Sequence, residues 1–227
     1  MSDSDYIILL AWPEGMVVAA GAWYDFLLAK NGQYRVGHSA LILVNSETKK
    51  FHYMDFGRYH TPDGYGRVRD SETDPDVSIS KKAKIENGEI LNIEQILIET
   101  ANKKASHGEG ILYSSVIGGV DFNKAYNHAK FMQNKGAMSY GPFIRRGSNC
   151  SRFVSKIARK SGVSILKRFR LKIQANFTPS PKRNITIANP NFYRIDGDTC
   201  KKINRTKLKA YFVDIEKENE QNEKHIR

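Results

Sequence analysis

Cys150 stands in the stretch Ser148-Asn149-Cys150-Ser151-Arg152-Phe153, a polar turn followed at once by an apolar-periodic run. Ser and Asn cap helices, so the pattern predicts a helix over 150–160 with Cys150 in its first turn. Backbone N–H groups point outward there and the helix dipole favours an anion, which is the setting of a thiolate nucleophile. The same amides are placed to receive an oxyanion. Phe153, Val154, Ile157 and Ala158 would share an inward face and anchor the helix. A buried free cysteine acting as a small hydrophobe is the competing reading. The polar neighbours argue for an open thiol.

Such a nucleophile needs a base, and the base needs a group to orient it. His38, in Val36-Gly37-His38-Ser39, opens a strand-like run over 37–44. A second such run covers 50–56, and Asn45-Ser46-Glu47-Thr48-Lys49 between them reads as a hairpin loop. With that loop centred near 46–47, His38 falls opposite 54–56, a window that contains Asp55. His52 falls opposite 40–42, about 10 Å away along the strand, and alternation puts it on the other face from Asp55. Asp55 is therefore the expected orienting group and His52 the fallback. Tyr140, just before the turn at Gly141-Pro142, is placed to donate to an oxyanion or to line a cleft. Arg58, with Tyr59, His60 and Tyr65–Arg69, forms a polar-aromatic loop suited to binding substrate; the alternative is a solvated loop.

The elements that must carry these groups follow from the apolar pattern. Residues 6–11 read as a buried strand and 19–30 as a short helix stopped by Asn31-Gly32. The polar stretch after Phe56 reads as a surface loop, 89–98 as a strand with a helix as the alternative, and 111–117 as a strand. Asp121 looks like the cap of a helix over 122–134 that Gly136 closes, and Ser161-Gly162 end the helix of Cys150. Beyond 165, only the breaks at Thr178-Pro179-Ser180-Pro181 and Asn189-Pro190 stand out. The expected architecture is α+β, a central antiparallel sheet with the nucleophile-bearing helix packed on it. Residues 1–177 are expected to form the catalytic domain, 178–215 an extension packed on it, and 216–227 a charged, disordered tail.

At 227 residues, 40% of them hydrophobic, the chain can bury one sizeable core. It holds no apolar run of membrane-spanning length, and its acidic opening, Met1-Ser2-Asp3-Ser4-Asp5, lacks the cations of a signal peptide, so a cytoplasmic location is expected. Two cysteines make no disulfide framework, and the sequence offers no Cys-x-x-Cys or His-x-x-x-His pair; neither metal nor cofactor is expected. The net charge of +12 is concentrated in residues 141–209, which hold 18 Lys and Arg against two acids. Such a field attracts an anionic ligand or an acidic membrane surface; a solvated basic face is the competing reading. Aromatic interleaving there is modest and no nucleic-acid-binding motif is present, so nucleic acid is not the expected partner.

Taken together, these residues resemble the papain-like cysteine hydrolases of the NlpC type in their circularly permuted form, the group that includes lecithin:retinol acyltransferase. Gly37-His38-Ser39-Ala40-Leu41-Ile42-Leu43-Val44 resembles the family's histidine-bearing strand, and the run from Lys50 to Gly57 the next strand, which brings the third polar residue. Asn149-Cys150-Ser151-Arg152-Phe153-Val154 is similar to the Asn-Cys-x-x-Phe-Val box that opens the nucleophile helix, and Tyr140 to the tyrosine shortly before it. The order His38, Asp55, Cys150 is that of the permuted group. The likeness covers roughly 36–160. It implies a thiol-dependent hydrolase of amide or ester bonds acting on a small peptide, amide or acyl substrate, with acyl transfer by the same residues as the alternative. The acyltransferase branch commonly carries a second His where Asp55 stands here, and often a hydrophobic membrane anchor that this chain lacks. A non-enzymatic basic module binding anionic polymers is the reading from another class.

Overall fold

The computed structural model describes residues 4–18, 33–35, 37–177 and 179–216. The helix expected over 19–30 and nearly all of the charged tail lie outside them.

Two strands form the spine. β1 (Asp5–Trp12) is apolar from Tyr6 on and β4 (His38–Val44) from Ala40 on, and they pair antiparallel from Tyr6 opposite Val44 to Trp12 opposite His38. Strands buried on both faces need no polar alternation. β5 (Phe51–Gly57) follows β4 through a hairpin, with Val44 opposite Phe51 and Ala40 opposite Asp55. β9 (Leu112–Val120) pairs with the other edge of β1. Among the described residues the sheet has eight strands, in the order β10-β6-β5-β4-β1-β9-β11-β12. The remaining strands are β6 (Tyr65–Arg69), β10 (Met138–Ser139), β11 (Phe192–Asp196) and β12 (Thr199–Ile203). Two short ribbons stand apart: β2 (Met16–Val18) with β3 (Gln33–Arg35), and β7 (Ile85–Glu86) with β8 (Glu89–Ile90).

Helices cover both faces. α1 (Ile93–Asn102) lays Ile93, Ile96 and Leu97 on the side that carries Ile8, Leu10, Ala40, Ile42 and Tyr53. α2 (Phe122–Gln133) and α3 (Cys150–Lys160) cover the opposite side, where Leu9, Leu41, Met54 and Phe56 meet Ala125, Ala129, Phe153, Val154 and Ile157. Burying a side chain such as Phe153 in full contributes about 2–3 kcal/mol. α4 (Ile165–Phe177) packs on α3, and α5 (Pro181–Ala188) on β1 and β9. The segment expected as an extension thus supplies α5, β11 and β12, the two strands continuing the main sheet from β9, and α6 (Lys207–Phe212).

Two assignments from sequence change. Residues 89–98 are not a strand: after the two residues of β8 the chain enters α1, whose buried positions 93, 96, 97 and 100 recur at helical spacing. The run Ile93-Glu94-Gln95-Ile96-Leu97-Ile98 is rich in β-branched isoleucine, which masks that period. The polar stretch after Gly57 is not all loop. It contains β6, in which Arg69 pairs with Asp55.

Candidate active site

The helix of Cys150 begins where the sequence places it. Asn149 is the N-cap of α3, extended at φ −136° and ψ 177°, and its side chain accepts from the Arg152 N–H at 2.8 Å. The Arg152 guanidinium turns back to the carbonyls of Gly141 (3.2 Å) and Ile144 (2.9 Å), tying the preceding loop to the helix. From α5, Asn184 donates to the Ser151 carbonyl at 2.9 Å and to its hydroxyl at 3.1 Å. The first turn carrying the thiol is therefore held from two sides.

One expectation fails here. The polar neighbours do not carry Cys150 into open solvent: it is 5% exposed, and Ser148 and Ser151 are buried too. Their polar atoms satisfy backbone and Asn184 instead of water.

His38 is the first residue of β4 and lies on the α1 side of the sheet, whereas α3 packs on the other. Its position at the strand's end lets the ring reach the thiol past the rim. Gly37 makes that entry possible. It is left-handed (φ +65°), and a Cβ there would stand 2.3 Å from the Trp12 carbonyl oxygen. The Trp12 indole stacks on the His38 ring, centroids 5.7 Å apart. Gly108 also lies against the indole, where a Cβ would fall 2.2 Å from the Trp12 ring.

His38 Nε2 lies 3.2 Å from Asp55 Oδ2, and the Cys150 side chain is near enough to the imidazole to act on its titration. Nε2 being turned to the carboxylate, Nδ1 is the nitrogen left for the thiol. Burial alone would lower the His38 pKa. The hydrogen bonds and charges of Asp55 and Cys150 outweigh it and raise the value to about 9.

Asp55 sits in a cage that sequence reasoning missed. The Arg69 guanidinium forks onto it, Nε to Oδ1 at 2.9 Å and Nη2 to Oδ2 at 2.8 Å. The hydroxyls of Tyr53 (3.0 Å) and Tyr59 (3.1 Å) donate to Oδ2. Burial would push the Asp55 carboxyl up; the Arg69 and His38 hydrogen bonds prevail and hold it at about 2. Burial, with the Asp55 charge, raises both tyrosines well above their usual range, which keeps them neutral donors. Arg69 also donates to the Ala105 carbonyl at 2.7 Å and lies over the Tyr59 ring at 3.6 Å. Arg67 fixes the Tyr59 loop, donating to the Tyr59 carbonyl and pairing with Asp74, 2.8 and 2.7 Å. Alternation along β5 puts Tyr53 on the face of Asp55, a signal the sequence did contain. Arg69 and Tyr59 were attributed to a substrate loop; they support the carboxylate instead.

His52 is elsewhere. Its ring packs against Phe122 (5.2 Å) and Tyr126 (5.3 Å) of α2, on the other face of β5. Tyr140 is half-buried, its ring stacked on Phe56 at 5.8 Å with an interplanar angle of 3°. Arg58 is exposed and lies 5.5 Å from the Tyr140 ring centroid, so the two residues assigned to substrate form one cation–aromatic pair. A cavity of about 320 Å³ lies beside β5, lined by His52, Tyr53, Asp70 and Lys82 among others, and Cys150 is not part of its lining. Among the described residues no group of three or more His, Cys, Asp or Glu side chains is arranged to hold a metal ion, and no helix is long and apolar enough to cross a membrane.

The large antiparallel sheet and its helices, with a cysteine on a helix N-terminus beside a histidine on the sheet, define a mixed α+β, papain-like fold. The model of the Type VI secretion system effector TseH-like family matches residues 7–164, a stretch containing His38, Asp55 and Cys150, and the chain belongs to that family. A crystal structure of the type VI secretion system effector TseH superposes with a TM-score of 0.61 at 19% identity, covering 89% of this chain and 99% of the other. At that identity the likeness speaks to the fold. No curated protein matches.

Proposed function

We propose that this chain is a cysteine hydrolase of amide or ester bonds, acting as a type VI secretion effector. The observation that carries the reading is His38, 3.2 Å from Asp55 and near enough to Cys150, at the N-terminus of α3, for both to act on its titration. In this mechanism His38 takes the proton of the Cys150 thiol. The sulfur attacks the carbonyl carbon, and the amides of Cys150 and Ser151 in the first turn of α3 take the developing oxyanion. His38 hands its proton to the leaving nitrogen or oxygen as the C–N or C–O bond breaks, giving the acyl-enzyme. It then takes a proton from water, whose oxygen attacks the thioester and releases the acid. Asp55 holds the Nε2 proton and steadies the cation; Arg69, Tyr53 and Tyr59 hold Asp55. Arg58 and Tyr140 are assigned to the substrate.

The chain order His38, Asp55, Cys150 fits the permuted branch of the papain-like hydrolases. Small peptides, including cell-wall stem peptides, are the substrate class this reading favours. Effector status implies action after delivery, whereas the sequence alone pointed to the cytoplasm; fractionation of producing and recipient cells separates the two. The test of the chemistry is turnover of an activated ester and of stem-peptide fragments, with intact-mass detection of an acyl adduct. The reading requires the adduct on Cys150 and no turnover by Cys150→Ala. Turnover at the parent rate by that variant contradicts it.

A further inference from the structure

α4 begins at Ile165, one residue after the stretch that the family model matches, and it exposes several large apolar side chains. Its inner face is fixed: Leu171, Gln174 and Ala175 are buried, the Leu171 carbonyl accepts from Ser155 of α3 at 2.9 Å, and Gln174 donates to the Ser180 carbonyl at 3.0 Å. The outer face carries Ile165, Phe169, Ile173 and Phe177, which are 83%, 59%, 43% and 71% exposed, with Leu166 at 67%. Spaced four apart, the first four advance by about 40° each, so with Leu166 they fill an arc of about 120° along the whole helix. Arg170 borders that arc on one side and Lys172 and Arg168 on the other. The helix carries no acid, and its setting, residues 141–209, holds two. Arg170 lies 4.2 Å from the Tyr211 ring of α6, where Leu208 is 75% exposed between Lys207 and Lys209, so the same mixture continues onto a second element.

Apolar residues in one stripe with cations along both borders match a bilayer interface, where the ring and branched side chains enter the acyl boundary and Arg and Lys reach the phosphates. A groove on a protein partner has no need of cations along both edges. We propose that α4 is an interfacial helix that docks the protein on acidic lipid bilayers through Ile165, Phe169, Ile173 and Phe177.

The test is flotation of the full chain with vesicles of phosphatidylcholine alone or mixed in equal parts with phosphatidylglycerol. The chain should float with the mixed vesicles and not the neutral ones, less at high salt. Phe169→Ser with Ile173→Ser should weaken flotation by about tenfold or more, as should Arg168→Glu with Lys172→Glu, with circular dichroism unchanged. Cys150→Ala should float like the parent, which separates this inference from the hydrolase reading. Absence of flotation with acidic vesicles overturns the proposal. So does unchanged flotation of the serine variant, which would make the attraction purely electrostatic. A concentration-dependent dimer that the serine variant abolishes, without vesicle binding, would assign the stripe to a second copy of the chain and equally overturn it.

Discussion

Replacing Asp55 by Asn should separate what this carboxylate does for the fold from what it does for His38. Asparagine keeps the shape and removes the charge. The buried Arg69 then loses the anion it forks onto at 2.8 and 2.9 Å, and stripping one partner from such a pair costs about 3–5 kcal/mol. His38 loses the strongest influence that raises it while the burial that lowers it remains, so its titration should fall well below about 9. Adding Arg69→Gln removes the orphaned cation. The double variant should recover much of the stability in urea denaturation, while its imidazole ¹⁵N titration stays as low as in Asp55→Asn alone. A His38 titration unchanged in Asp55→Asn would refute the role given to the carboxylate. A double variant no more stable than the single one would refute the pairing argument.

Three other outcomes follow from the same geometry. Gly108→Ala should destabilise by about 1–3 kcal/mol, because its Cβ must displace the Trp12 ring 2.2 Å away, and should perturb tryptophan fluorescence and the His38 resonance stacked on that ring. Asn149→Ala should cost about 1 kcal/mol by removing the cap on the Arg152 amide, and Asn149→Ser should restore most of it in the same denaturation assay. Stability should be greatest between about pH 4 and 6.5. His38, raised on folding, contributes fully below 6.5 and loses about 3 kcal/mol as pH climbs through 9; Asp55, lowered on folding, contributes above 3.8 and loses its share as pH falls toward 2. The two share one contact, so their contributions do not add. Urea midpoints across pH measure this.

The elements nearest the site were legible because their signals are local. Asn149 and Asp121 cap the helices that follow them, and the unbroken apolar runs at 6–11 and 40–44 can only be interior strands. Asp55 was legible through alternation, although the register arithmetic slipped. Strand pairing starts with Val44 opposite Phe51, so the turn takes in Lys50 as well, Asp55 faces Ala40, and His38 lies two residues further on, still on the same side. The support of Asp55 was not legible. Arg69 reaches it only because β6 pairs back onto β5, a non-local event, and the polar composition of 57–64 hid the strand beyond it. The burial of Cys150 was misjudged for a related reason: Asn184, which helps enclose the first turn of α3, comes from a helix the sequence did not reveal.

The most direct test of the pairing of Cys150 with His38 is iodoacetamide labelling near pH 6, read by peptide mass mapping at both cysteines. Burial and the charge of Glu94 push the Cys200 thiol up to about 11, so it should stay almost unlabelled. Cys150 should label much faster, and His38→Ala should abolish the difference. Equal, slow labelling of both thiols in the parent chain, or undiminished labelling of Cys150 without His38, would contradict the account.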